Sequence, residues 1–211
     1  AVLEKIRLTQ LTSNVGAVVD GQDLDLSQPL AADTVAQLRK ALLDHGVIFF
    51  RNQEMTDREM ESFAAQFGKP IPEPFVSSRL PDAPPAFTGD LERTKHATCV
   101  WHHDTSFLPE PPRFTVLRAV QPPAYGGDTC WSSMYAAYEL LSAPMREMLD
   151  GLSAVHSVEP VFRRMGAGLA SEHAQNETLH AREHVHPLVL VHPETGRKAL
   201  YYNEGWTARI V

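Results

Sequence analysis

The stretch "HPLVLVHPETGRKALYYN", residues 186–203, constrains the fold more than any other part of the chain. Two strand-like halves flank "HPETGR", which reads as the turn of a hairpin. A lone two-stranded ribbon is marginal in water and needs further strands or a covering layer. The chain offers both. "LSAVHSV" (152–158) and "RFTVLRAV" (113–120) have strand composition, and "YGGDT" (125–129) is a turn leading into another strand. Residues 4–9 and 15–19 read as short strands, the second closing at Asp20-Gly21, and "VIFFR" (47–51) as a buried one.

Helices are inserted between these strands. Asp33 suits an N-cap; Val35, Leu38, Leu42 and Leu43 then recur at helical spacing, and Gly46 ends the run. Thr56-x-x-Glu59 is a capping box that opens a helix to about Phe67. Ser133 or Ser142 can cap helices within 134–151, where Pro144 suits a first turn. The pattern predicts a mainly β fold with inserted helices, an antiparallel core of jelly-roll type. Residues 69–98 are rich in proline and polar groups, and irregular segments of that length often act as active-site lids.

Bulk properties narrow the partners. The 211 residues carry a formal net charge of −7 and no basic run, which argues against nucleic acid. No apolar stretch reaches the roughly 18 residues of a membrane helix, so no membrane partner is expected. The N-terminus lacks a signal-peptide plan, and the two cysteines, Cys99 and Cys130, make no disulfide framework. A cytoplasmic protein with a small-molecule partner is expected, with homo-oligomerisation left open.

The chemistry concentrates in "CVWHHDTSF", residues 99–107. If 99–104 is a strand or its end, side chains alternate faces. His102 and Asp104 then point the same way and His103 the other way, with Trp101. His102-x-Asp104 offers an imidazole nitrogen and a carboxylate oxygen to one point, two-thirds of the facial triad of non-haem Fe(II) oxygenases. A solvated or hydrogen-bonded pair is the commoner fate of His-x-Asp, and a zinc hydrolase would suit it as well. His103 reads as a packed or supporting residue.

The surroundings of this motif are more specific. "WHHDTSFLPEPPRFTVLRAVQPPAYGGDTCWSSMYAAYELLS" (101–142) resembles the taurine / 2-oxoglutarate-dependent non-haem Fe(II) dioxygenase family. So do "HPLVLVHPETGRKALYYNEGWTARIV" (186–211), "VGAVVDGQDL" and "HGVIFFRNQ", so the likeness runs over essentially the whole chain. It implies a single dioxygenase domain over 1–211 on a double-stranded β-helix, with 69–98 as its lid. It implies Fe(II), 2-oxoglutarate as co-substrate and O2. His102 and Asp104 match the first two iron ligands. Thr129 matches the threonine that binds the distal carboxylate of 2-oxoglutarate, and Phe162 an aromatic residue of the substrate pocket.

Two departures qualify the resemblance. The family's distal iron-binding histidine and its 2-oxoglutarate-binding arginine lie further on than Val211. His156, His173, His180, His184, His186 and His192 match no ligand position. The expectation is a chain incomplete at its C-terminus, holding at most two protein ligands and leaving an unpaired sheet edge. The second departure concerns substrate. Where taurine-specific members place a histidine and a tyrosine to bind the sulfonate, this chain has Glu73 and Val76, and Thr98 replaces an asparagine. A carboxylate facing a sulfonate repels it, so the resemblance shifts to the alkylsulfatase or aryloxyalkanoate dioxygenase branch; Glu73 as an exposed loop residue is the plain alternative.

The implied reaction hydroxylates a small organic acid (a sulfate ester, sulfonate or aryloxyalkanoate) while 2-oxoglutarate is decarboxylated to succinate and CO2. The rival readings are a zinc hydrolase on the same metal face and a catalytically silent binding protein of the same fold.

Overall fold

Backbone pairing and capping chemistry account for most of the elements that form. The computed structural model describes residues 6–20, 24–71, 100–161, 163 and 183–211. The chain divides into two units, one of residues 1–71, 85–87 and 118–133, the other of 72–84, 88–117 and 134–211.

In the first unit β1 (Arg7–Gln10) pairs antiparallel with β2 (Ala17–Asp20), which pairs in parallel with β3 (Ile48–Phe49). A parallel neighbour needs a crossover, and α1 (Ala32–His45) supplies it. Gly46 closes α1 with φ 72°, donating its N–H to Leu42; only glycine takes that conformation without strain. α2 (Asp57–Ala65) opens with the reciprocal Thr56–Glu59 capping box. Val19, Leu26, Leu38 and Phe63 form the buried core, with Ile48, Phe50 and Phe67 packed around it. Two glutamines latch the connections: Gln53 accepts from Leu26 N and donates to Leu24 O, and Gln66 accepts from Leu30 N.

In the second unit β4 (Ser153–Ser157) is the centre of an antiparallel sheet, flanked by β5 (Glu183–Pro187) and β8 (Thr207–Ile210). β6 (Val189–Val191) and β7 (Lys198–Leu200) form the predicted hairpin. α3 (Met134–Glu139) packs beside β7: Arg197 lies 4.1 Å over the Tyr135 ring and pairs with Glu139. α4 (Ala143–Leu149) is capped by the Ser142 hydroxyl, with proline in its first turn. Phe107, Val158, Val161 and Trp206 form the core, Phe107 and Trp206 meeting edge to face at 4.9 Å.

Several expectations are corrected. Residues 113–120 form no strand, nor do those that follow Thr129; among the described residues neither segment finds a ladder partner, and strand composition without a partner makes no strand. Residues 100–104 are not a strand either but lead into a turn over 104–107. The cap of α1 is Ala31, with Asp33 inside the first turn, where its charge suits the helix dipole. α2 stops at Ala65 rather than Phe67. β8 lies in a segment, 207–210, for which the sequence pattern predicts no element. The lid expected over 69–98 falls almost wholly outside the described residues.

Candidate active site

The site is built on the turn that follows Val100. Thr105 adopts φ 46°, a left-handed conformation rare for a β-branched residue. Leu108 N closes the turn on Thr105 O at 3.0 Å. Phe107, 1% exposed, anchors the turn in the core, and Ser106 is fully buried. The side chains of His102 and Asp104 are left 30% and 45% exposed, their Nε2 and Oδ1 atoms 3.3 Å apart. The two side chains meet, although their backbone is no strand: residues 101–103 lie in neither helix nor strand, and the turn begins at Asp104. The His103 ring turns away and packs on Tyr201, centroids 4.9 Å apart.

Both members of the pair are held from behind. His102 Nδ1 lies 2.7 Å from Val100 O. A carbonyl only accepts, so Nδ1 carries the proton and Nε2 is the free donor atom. Thr115 donates its hydroxyl to Asp104 Oδ2 at 2.7 Å, which leaves Oδ1 facing Nε2. Two electron-rich atoms therefore converge, an arrangement that favours a cation between them. The titration behaviour says the same. Donating a hydrogen bond to the Asp104 carboxylate favours protonated His102 and raises its pKa against the opposing effect of burial, and the same bond lowers the pKa of Asp104. A proton fills this role, and a metal ion can replace it.

The donor set passes a geometric test for a divalent metal. Ligand atoms about 2.1 Å from one ion, roughly 90–110° apart, lie about 3.0–3.4 Å from each other; the 3.3 Å separation fits. Among the described residues no group of three or more histidine, cysteine or acidic side chains stands close enough to hold a metal. His102 and Asp104 would thus contribute one nitrogen and one oxygen.

Behind the pair lies a second set of histidines. His156 is fully buried; its Nδ1 is 2.7 Å from Ser106 Oγ, and Asn203 donates to that same oxygen at 3.2 Å. Tyr201 stacks on the His156 ring, and His186 meets it edge-on. Burial first, then the neighbouring His186, pushes the His156 pKa down to about 4. His186 is anchored by Leu108 O at 3.0 Å. These rings support the turn.

Thr129, in the first unit, is exposed and lies in neither helix nor strand. Glu73, Val76, Thr98 and Phe162 lie outside the described residues, as do Cys99, His173 and His180. Cys130 is a free, exposed thiol. No helix among the described residues is long and apolar enough to cross a membrane. Thr115 and the Val100 carbonyl were missed at the sequence level; neither follows from the spacing of His102 and Asp104.

Comparison with known proteins places these observations. Residues 7–211 match the family described as taurine catabolism dioxygenase TauD, TfdA family. An alkylsulfatase of Acinetobacter baylyi is 35% identical over 213 residues, covering 93% of this chain and 62% of its own. An alpha-ketoglutarate-dependent sulfate ester dioxygenase of Pseudomonas putida is 35% identical over 202 residues, covering 90% of this chain and 64% of its own. The chain thus spans just under two thirds of these curated relatives. The crystal structure of a taurine dioxygenase from Burkholderia xenovorans superposes with a TM-score of 0.74 at 34% identity, covering 99% of this chain and 67% of that one.

Proposed function

This chain belongs to the taurine catabolism dioxygenase TauD, TfdA family, and on that premise we propose that it is part of an Fe(II)- and 2-oxoglutarate-dependent dioxygenase acting on a small organic acid. The observation that carries the reading is the convergence of His102 Nε2 and Asp104 Oδ1 at 3.3 Å, with Nδ1 and Oδ2 each committed to a supporting partner. The relatives named alkylsulfatase and sulfate ester dioxygenase support a sulfate ester, with sulfonates and aryloxyalkanoates as neighbouring classes. The jelly roll is the expected scaffold, in a single dioxygenase domain.

Bound Fe(II) would supply the oxidative chemistry, coupling decarboxylation of 2-oxoglutarate by O2 to hydroxylation of the substrate. The protein's part is positional. Val100 O fixes the His102 tautomer, and Thr115 fixes the Asp104 carboxylate, so neither ligand must reorganise on binding. Thr129 hydrogen-bonds the distal carboxylate of 2-oxoglutarate. The resemblance assigns substrate recognition to Glu73, Val76, Thr98 and Phe162, with the Glu73 carboxylate repelling a sulfonate such as taurine.

The test measures succinate release and oxygen uptake by the full-length protein, supplied with Fe(II) and 2-oxoglutarate, over a panel of sulfate esters, sulfonates and aryloxy acids. Coupled succinate release with a sulfate ester or aryloxy acid, and weak turnover of taurine, is the expected result. Hydrolysis without oxygen uptake would replace this reading with a zinc hydrolase. Thr129→Ala should raise the KM for 2-oxoglutarate about tenfold, as the loss of one hydrogen bond to a charged group predicts. An unchanged KM removes Thr129 from the site.

A further inference from the structure

We propose that Gly205 is a positioning residue for His102: the turn between β7 and β8 presses its bare backbone against the root of that imidazole, and any side chain there displaces it. The inference rests on the reading of His102 as a metal ligand. An ideal Cβ built on Gly205 falls 2.7 Å from His102 Cβ, 3.2 Å from Asn203 Oδ1 and 3.7 Å from His102 Cα. Carbon atoms in contact sit about 3.5–4.0 Å apart, so roughly 1 Å of movement is needed. The atom met is the base of the side chain, where no rotation of the imidazole relieves the clash. The glycine is required here by space alone, since its φ lies outside the left-handed region.

The turn cannot easily retreat. Gly205 N donates to Trp101 O at 3.2 Å, tying it to the residue before the ligand. Asn203 folds the turn on itself: Trp206 N donates to its Oδ1 at 2.8 Å, and Asn203 and Thr207 exchange two hydrogen bonds. Asn203 Nδ2 reaches Ser106 Oγ, two residues past Asp104. Trp206, beside the glycine, packs in the core against Phe107. One five-residue turn thus grips the ligand-bearing segment on both sides of His102-x-Asp104. Metal–ligand distances tolerate only about 0.2 Å, so a displacement of roughly 1 Å is decisive.

The experiment uses the full-length protein, titrated anaerobically with Co(II) and followed by its visible absorption, with side-chain NMR of His102 in the metal-free state. Gly205→Ala should weaken Co(II) binding tenfold or more and shift the His102 ring resonances before any metal is added. Gly151→Ala, where an added Cβ meets nothing within 4 Å, should match the wild type. If Gly205→Ala does not fold, Asn203→Ala, which loosens the turn without adding atoms, should show the same loss of affinity. Wild-type affinity together with unmoved His102 resonances in Gly205→Ala, or wild-type affinity in a folded Asn203→Ala should the first variant fail to fold, overturns the inference. A wild-type protein whose Co(II) affinity is indifferent to His102→Ala overturns instead the underlying reading of His102, and leaves the NMR shift as the measure of Gly205.

Discussion

The two units are held together by different chemistry. In the first, every buried side chain described is apolar: Ala17, Val19, Leu26, Leu38, Ala41 and Phe63. Its polar side chains work at the edges, as the Thr56–Glu59 cap and the Gln53 and Gln66 latches show. In the second, the buried set includes Thr105, Ser106, His156, Ser157, His186 and Asn203. Buried polar groups stabilise only when they are paired, and they fix one arrangement among many. The first unit is built for stability. The second places its buried polar groups around the turn over 104–107, where Thr105 takes a conformation that free chains avoid, and Asp104 opens that turn two residues after His102.

The comparison can be broken at the ligand pair, where the largest effect is expected. His102→Ala or Asp104→Ala in the full-length protein should abolish iron-dependent turnover while leaving the melting temperature near that of the wild type. His103→Ala, which removes a ring packed at a tilt against Tyr201, should retain a good part of the activity. Loss of metal in His103→Ala with retention in His102→Ala would reverse the assignment.

The next effect should appear only as stability. Leu38 is fully buried among Val19, Leu26 and Phe63. Leu38→Ala removes apolar contacts and leaves a cavity, a loss of about 2–5 kcal/mol. Metal affinity of the folded fraction should not change. A parallel drop in affinity at temperatures well below the melting point would show that the first unit does more than stabilise.

Acid sharpens the contrast from the other side. His156 is pushed down to about 4 by burial and by His186, whereas the unfolded chain titrates near 6.5. Between these values the unfolded state binds the extra proton, so stability present above pH 6.5 is lost as the pH falls towards 4. The loss from this group is roughly 3 kcal/mol. His186, lowered in the same direction, adds to it. Ser106 accepts from Asn203 and so has its own proton to offer His156 Nδ1, which suits only the neutral ring. Urea unfolding at pH 7.5 and 4.5 measures the difference, which should shrink in His156→Phe. An undiminished acid loss in that variant would place its source elsewhere.

What the sequence showed follows the same division. Elements set by neighbours in the chain were legible: the Thr56–Glu59 box, the Gly46 stop, the Ser142 cap and the hairpin around "HPETGR". Elements set by distant partners were not. Residues 113–120 have strand composition, yet Thr115 serves Asp104 from irregular backbone. Asn203 and Ser106 are 97 positions apart, and Ser106 and His156 are 50; no local periodicity encodes such pairs. Strand alternation predicts the His102–Asp104 convergence, but residues 101–103 lie in neither helix nor strand and Asp104 opens a turn. Irregular backbone can bring i and i+2 side chains together as a strand does, so the spacing alone does not reveal which backbone does it.

The smallest effect tests the first unit's edge chemistry. Thr56 Oγ1 accepts from Glu59 N, and the Glu59 carboxylate accepts from Thr56 N at 2.6 Å. That backbone hydrogen bond is the main cause holding the Glu59 pKa below its usual value. Thr56→Ala strips one of these contacts from an exposed helix end and should cost about 1 kcal/mol. Glu59→Gln, which can still complete the box, should cost less than Glu59→Ala. None of the three should alter metal affinity, because the capping box touches neither His102 nor Asp104. Thermal melting and Co(II) titration on the same samples check both halves. A cap variant that weakened metal binding as much as it lowered the melting temperature would erase the division between a unit that stabilises and a unit that positions.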